Sequence, residues 1–72
     1  MNLEQKILDR ISKVARKEVS LHDTFDSLNI DSLDLAELVM EAEDELGITV
    51  PDEELMKIKS VQDLVETLNR LV

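Results

Sequence analysis

The chain has no cysteine, tryptophan or tyrosine, and only one residue each of phenylalanine, glycine, proline and histidine among its 72. Without cysteine there is no disulfide framework and no thiolate metal site. His22, the lone imidazole, leaves no further histidine from which to build a Ser/His or Cys/His set. Phe25 is the sole aromatic side chain, so any core must be made of Leu, Ile and Val, and a core this small depends on well-formed helices. The apolar runs are only a few residues long and the first ten residues, MNLEQKILDR, carry charges throughout. Neither a membrane span nor a signal-peptide pattern is spelled, and a soluble, cytoplasmic protein is expected. The length and the lack of Pro/Gly-rich linkers, repeats or low-complexity tracts predict one domain over residues 1–72.

Basic residues are missing from the middle of the chain. From Met1 to Lys17 there are five basic and two acidic residues, whereas from Glu18 to Met56 there are thirteen acidic residues and no Lys or Arg. A segment of that sign repels polyanions, which argues against nucleic acid and against anionic membrane surfaces. Proteins with basic patches are the expected partners, although acidity also serves simply to keep a small domain soluble.

What is present is helical periodicity. Leu3, Ile7, Ile11 and Val14, joined by Leu8 and Ala15, predict an amphipathic helix from residue 3 to about 16, with Lys6, Arg10, Lys13 and Lys17 on its polar side. Residues 18–30 lose that spacing but retain Val19, Leu21, Phe25, Leu28 and Ile30, which predicts a long loop pinned to the core, with a turn over Ser20 to Thr24. The second helix has the clearest punctuation: Asp31 as N-cap, Asp34 at the third helical position, and Gly47 after the last periodic residue, giving a helix over 32–46. Leu35, Leu38, Val39, Ala42 and Leu46 form its apolar stripe. Asp34, Glu37, Glu41, Asp44 and Glu45 cover much of the rest with no interleaved Lys, an arrangement that weakens an isolated helix by like-charge repulsion. Pro51 followed by Asp52, Glu53 and Glu54 suits the first turn of a short third helix. Ser60 with Asp63 signals the start of a last helix whose stripe is Val61, Leu64, Val65, Leu68 and Leu71. The predicted fold is all-α: a small four-helix bundle of three longer helices and one short one, with a long loop between helices 1 and 2.

The stretch DSLDLAELVMEAEDELGITVPDEELMKIKSVQDLV, residues 31–65, resembles the acyl carrier protein family. The resemblance rests on Asp-Ser-Leu at the start of the second helix, then Glu-Leu and an acidic stretch, then Pro-Asp-Glu-Glu and a Lys-Ile before the last helix. Phe25 before Leu28 also matches the family's habit. Asp-Ser-Leu alone is a weak signal; its combination with the downstream spacing is specific. The sequence departs from the family in carrying Asn29 where glycine is usual, in a run from Phe25 to Ser32 one residue shorter than the common pattern, and in Leu35-Ala36 where a small polar residue and valine are usual. Asn tolerates left-handed backbone angles, so the turn at Asn29 is expected to survive.

The resemblance implies that Ser32 is the attachment point of 4′-phosphopantetheine, transferred from coenzyme A by a phosphopantetheinyl transferase, and that acyl groups ride on the distal thiol as thioesters. A serine in the first turn of a helix suits this, because the unpaired N–H groups and the dipole favour a phosphodiester's charge. Read without the resemblance, Ser32 is an ordinary helix-start residue. Asp31, Leu33, Asp34, Glu37, Met40, Glu41, Glu43 and Asp44 are the expected docking surface for the transferase and for acyl-processing enzymes with basic patches, and Leu35 is a further candidate for its apolar centre. An acyl chain is expected to enter the core among Phe25, Leu28, Ala36, Val39, Leu46, Ile48, Leu55, Ile58 and Leu64. Weak divalent-cation binding is conceivable near Glu43, Asp44 and Asp52 to Glu54, although no EF-hand loop is spelled.

The resulting expectation is a monomeric carrier, not an enzyme, serving fatty acid biosynthesis. Three alternatives stand beside it: a dedicated carrier for a polyketide or specialised lipid route, an aminoacyl or peptidyl carrier, and a small acidic adaptor regulated by phosphorylation at Ser32. An enzyme is disfavoured because one loop histidine and surface carboxylates do not assemble a catalytic site.

Overall fold

The computed structural model describes residues 3–72, so the first two residues of the expected domain lie outside the described residues. It contains α1 (Leu3–Ala15), α2 (Ser32–Leu46), α3 (Asp52–Leu55) and α4 (Val61–Leu71). Among the described residues there is no strand, and no helix is long and apolar enough to cross a membrane.

Each helix ends where its local chemistry says it should. At the end of α1 the amides of Arg16 and Lys17 both donate to the Ser12 carbonyl, at 2.8 and 3.3 Å, and Arg16 takes a left-handed φ of 60°. A non-glycine residue in that conformation costs about 1 kcal/mol. Gly47 makes the same turn after α2 without a Cβ penalty, at φ 67°, and the amides of Gly47 and Ile48 return to the Glu43 carbonyl. The Asp31 carboxylate accepts from the Asp34 amide at 2.9 Å and caps α2. Pro51 sits just outside α3, its carbonyl accepting from the Glu54 and Leu55 amides. A reciprocal capping box opens α4: the Ser60 hydroxyl accepts from the Asp63 amide, and the Asp63 carboxylate accepts from the Ser60 amide.

The long segment between α1 and α2 is tied down at both side chains and backbone. Val19, Phe25, Leu28 and Ile30 are buried. The Ser20 amide donates to the Asp23 carboxylate and the Asp23 amide to the Ser20 carbonyl, closing the expected turn. Beyond it the chain runs antiparallel to the start of α4, with Phe25 donating to Lys59, Val61 to Asp23 and Gln62 to Leu21. Backbone groups that no helix satisfies are thereby paired. Asn29 adopts φ 59°, the left-handed turn that lets Leu28 and Ile30 on either side of it both reach the core.

The core is centred on α4. Val61 and Leu68 are fully buried, and around them pack Ile7 and Ile11 of α1 and Leu35, Leu38 and Val39 of α2. Two expectations need correction. Val14 remains 44% exposed: it shares the apolar face of α1 but sits in its last turn, where the chain reverses at Arg16. Leu35 is buried, one turn before Leu38 and Val39 in the middle of the α2 stripe, and so lies away from any docking surface.

Candidate functional site

Ser32 is the first residue of α2 and is exposed. Its position is set by Asp31, whose side chain takes the Asp34 amide, and whose carbonyl takes the Leu35 amide. The amides of Ser32 and Leu33, like those at the start of any α-helix, have no intrahelical acceptor. The Ser32 hydroxyl makes no hydrogen bond among the described residues. An exposed primary hydroxyl, free backbone donors beside it and the positive end of a fifteen-residue helix together fit a phosphodiester.

Beyond Ser32 the surface of α2 divides by helical phase, at 3.6 residues per turn. Leu33, Glu37, Met40 and Asp44 recur at helical spacing and are all exposed, giving a stripe that alternates apolar and acidic side chains. Leu33 and Met40 are the prominent apolar groups, 76% and 65% exposed. Met56, beside α3, is exposed to the same degree as Leu33 and was not anticipated from the sequence.

On the side facing α1 the acids are paired. Arg10 reaches Glu41 at 3.3 Å and Glu45 at 3.1 Å, and Lys6 reaches Glu45 at 3.2 Å. The hydrogen bond from Lys6, then the Arg10 charge, hold the Glu45 carboxyl below its ordinary value of 4.5. Glu41, expected among the docking residues, is thus already engaged with the protein's own arginine. Lys6 and Arg10 lie one turn apart on α1, a signal the sequence contained without saying which acids they would meet.

Glu43 faces the opposite side. It is half-buried, and its carboxylate accepts from the Val50 amide at 2.6 Å, clamping the last turn of α2 to the segment before Pro51. This corrects the expectation of a free docking carboxylate: Glu43 is committed to the fold. The notion of a weak cation site among Glu43, Asp44 and Asp52 to Glu54 is likewise not supported. Glu54 pairs with Arg70 at 2.7 Å, and among the described residues no three acidic or histidine side chains converge as a metal site.

A void of about 30 Å³ lies between α1, α2 and α4, lined by Ile7, Ile11, Leu38, Leu46, Leu64 and Leu68, with Lys6, Arg10 and Glu45 also bordering it. Of the residues expected to receive an acyl chain, Leu46 and Leu64 line this void. Phe25, Leu28, Val39 and Ile58 are buried elsewhere in the core, Leu55 is half-buried and packed against it, and Ala36 is half-buried. Ile48 instead borders an open groove with Met40, Glu43, Asp44 and Thr49.

Comparison with known proteins identifies the family. A family model described as a phosphopantetheine attachment site matches residues 5–68. The crystal structure of an acyl carrier protein from Thermotoga maritima superimposes with a TM-score of 0.82 at 35% identity, covering 96% of this chain and 85% of that one. Both are carriers rather than enzymes. With the family model matching residues 5–68 and the backbone superimposing on a carrier at 35% identity over 96% of its length, the chain belongs to the acyl carrier protein family, whose prosthetic group is 4′-phosphopantetheine.

Proposed function

We propose that Ser32 is the residue that bears 4′-phosphopantetheine and that the protein presents acyl intermediates to the enzymes of fatty acid biosynthesis. The observation that carries the assignment is the exposed Ser32 hydroxyl at the first position of α2. When bound, the group supplies the thiol that the cysteine-free chain lacks, and acyl groups are held on it as thioesters. The chain's own part is to offer Ser32 Oγ as the ester oxygen, to support the phosphate's charge with the start of α2, and to keep the site open to solvent.

Docking falls to the exposed stripe of Leu33, Glu37, Met40 and Asp44, flanked by Asp31 and Asp34. Unpaired carboxylates steer a basic enzyme surface toward Ser32 and let it leave again, since exposed charge pairs add more to association rate than to lasting affinity. Leu33 and Met40 supply the apolar centre, and methionine adapts to several partners. A cytoplasmic monomer suits this shuttling. The fatty acid assignment rests on the acidic side chains along the exposed stripe of α2 and on the run from Asp31 to Val65 that resembles the acyl carrier protein family.

The test is intact-protein mass before and after incubation with coenzyme A and a broad-specificity phosphopantetheinyl transferase, with Ser32→Ala alongside. One phosphopantetheine on the unsubstituted protein and none on the variant is expected. Addition to both would place the site elsewhere, and a bare phosphate on Ser32 in protein isolated from its source would favour the adaptor. Loading of holo-protein by a fatty-acid acyl-transferase, but not by an amino-acid-activating enzyme, is the expected pathway result.

A further inference from the structure

We propose that the C-terminal end of α1 is a second docking contact, at which Lys13, Arg16 and Lys17 meet a carboxylate-bearing patch on the enzyme that modifies Ser32, beside the basic patch that meets α2. The proposal rests on the carrier reading for the place of modification.

Four observations carry it. The ion pairs show that α1 and α2 run antiparallel: Lys6 meets Glu45, and one turn further along α1 Arg10 meets Glu41, one turn nearer Ser32. Beyond Arg10 come Lys13, Arg16 and Lys17, and beyond Glu41 come Glu37 and Asp34, yet none of these five is engaged in an ion pair among the described residues. The charges are thus spent on one another at the far end of α2 and left open, in both signs, at the end that presents Ser32. Second, Arg16 holds a left-handed φ of 60°, whereas the other residues with positive φ are Gly47 and Asn29, which tolerate it. Arginine costs stability there that glycine would not, and its backbone task, returning an amide to the Ser12 carbonyl, needs no charge. Third, Lys13, Arg16 and Lys17 are all exposed, with Glu18 the one acid adjoining them, on a chain whose net charge is -9. The helix dipole favours a cation in the last turn of α1, which Lys13 supplies; Arg16 and Lys17 lie past the helix, where that attraction fades. Fourth, Val14, between Lys13 and Arg16 in sequence, is 44% exposed. An apolar side chain set among cations repeats, with the sign reversed, the pattern of Leu33 and Met40 among the acids of α2.

A partner surface that is basic throughout is repelled by the end of α1. One that carries both signs in the matching order is held in a single orientation, because turning it about Ser32 sets like charges together. That orientation fixes how the Ser32 hydroxyl is turned toward the partner's own site. A protein surface is the occupant the rest of the chain admits: nucleic acid or an anionic membrane drawn to these cations would also meet the acidic segment from Glu18 to Met56.

The discriminating quantity is the sign of the effect. Replacing lysine by glutamine makes the chain more acidic, so an enzyme that reads only carboxylates docks more tightly, and only one with an acidic patch of its own docks less well. Loading of the apo-protein by a broad-specificity phosphopantetheinyl transferase, with coenzyme A saturating, is followed at low salt for the parent, the Lys13→Gln/Lys17→Gln double variant, Arg16→Gly and Lys6→Gln. The double variant and Arg16→Gly are expected to raise the KM for the carrier several-fold with kcat unchanged, an effect that shrinks as sodium chloride is added. Lys6→Gln, which removes one charge at the paired end of α1, is expected to leave KM unchanged or to lower it. Arg16→Gly also relieves the left-handed strain, so its urea midpoint is expected to be no lower than the parent's, which separates a raised KM from loss of the fold. Loading of the double variant and of Arg16→Gly as efficiently as the parent, or more so, overturns the proposal. An equal rise in KM from Lys6→Gln overturns it too, by tracing the effect to net charge rather than to this end of α1. A parent that the transferase does not modify at all would overturn the carrier reading and this proposal with it.

Discussion

The two flanks of α2 carry the same residue type for different ends. Toward Ser32 and along the outer stripe, Asp34, Glu37 and Asp44 are not engaged in any ion pair among the described residues, and the helix bears their mutual repulsion. Toward the C-terminal end, Glu41 and Glu45 are matched by Arg10 and Lys6, and Glu43 is spent on the Val50 amide. A count of carboxylates on this helix therefore overstates the surface available to partners. The lesson is that an acidic helix can be partly structural even when its sequence reads as one uniform recognition face.

The contrast can be broken most forcefully at Glu43. Glu43→Ala leaves the Val50 amide without its acceptor and is expected to destabilise the protein by about 1–3 kcal/mol. Glu37→Gln, on the outer stripe, should change stability by no more than about 0.5 kcal/mol in either direction. Urea denaturation of the two variants beside the parent measures both; equal effects would erase the distinction between the flanks. A smaller effect is expected at Arg10. Arg10→Gln should lower stability at low ionic strength, and the difference from the parent should fade as sodium chloride is raised toward 1 M, whereas the Glu43→Ala deficit should persist.

The smallest effect is in pH. The carboxyls of Glu45 and Asp63 both lie below their ordinary values: the first through its hydrogen bond from Lys6 and the Arg10 charge, the second through the hydrogen bond from the Lys59 amide, helped by Ser60 and opposed by partial burial. A carboxylate that binds its proton less readily when folded stabilises the fold fully above its unfolded value and loses that contribution as pH falls through the folded one. The gap between the parent and Asp63→Asn is thus expected to be widest above the ordinary Asp63 value of 3.8 and to close progressively as pH falls below it. A gap that stays constant down to pH 2 would mean that the ionised carboxylate contributes nothing through this box.

Local signals and distant contacts were unequally legible. Asp31, Gly47 and the Ser60–Asp63 box marked helix ends that the structure reproduces, because a cap and the amide it serves lie within four residues of each other. Ser32 at the head of α2 was readable for the same reason. Val14 was misjudged because periodicity marks a face of a helix without saying how far the opposing surface extends along it; periodicity placed Leu35 correctly in the buried stripe, and only its further assignment to the docking surface fails. Glu41 and Glu43 were read as docking acids because the partners that claim them, Arg10 and the Val50 amide, are named only by the way the chain folds back.

Thus composition, spacing and caps by themselves determined four helices, their approximate ends, a cysteine-free aliphatic core and a serine presented at the start of an acidic helix. These depend on interactions within a turn or two of chain, which any sequence carries openly. Tertiary structure alone decided that Lys6 meets Glu45 across 39 residues and Arg10 meets Glu41 across 31, that the long loop pairs with the start of α4, and that the void opens under α1. Those outcomes follow from how packed helices approach one another, which depends on the whole core at once.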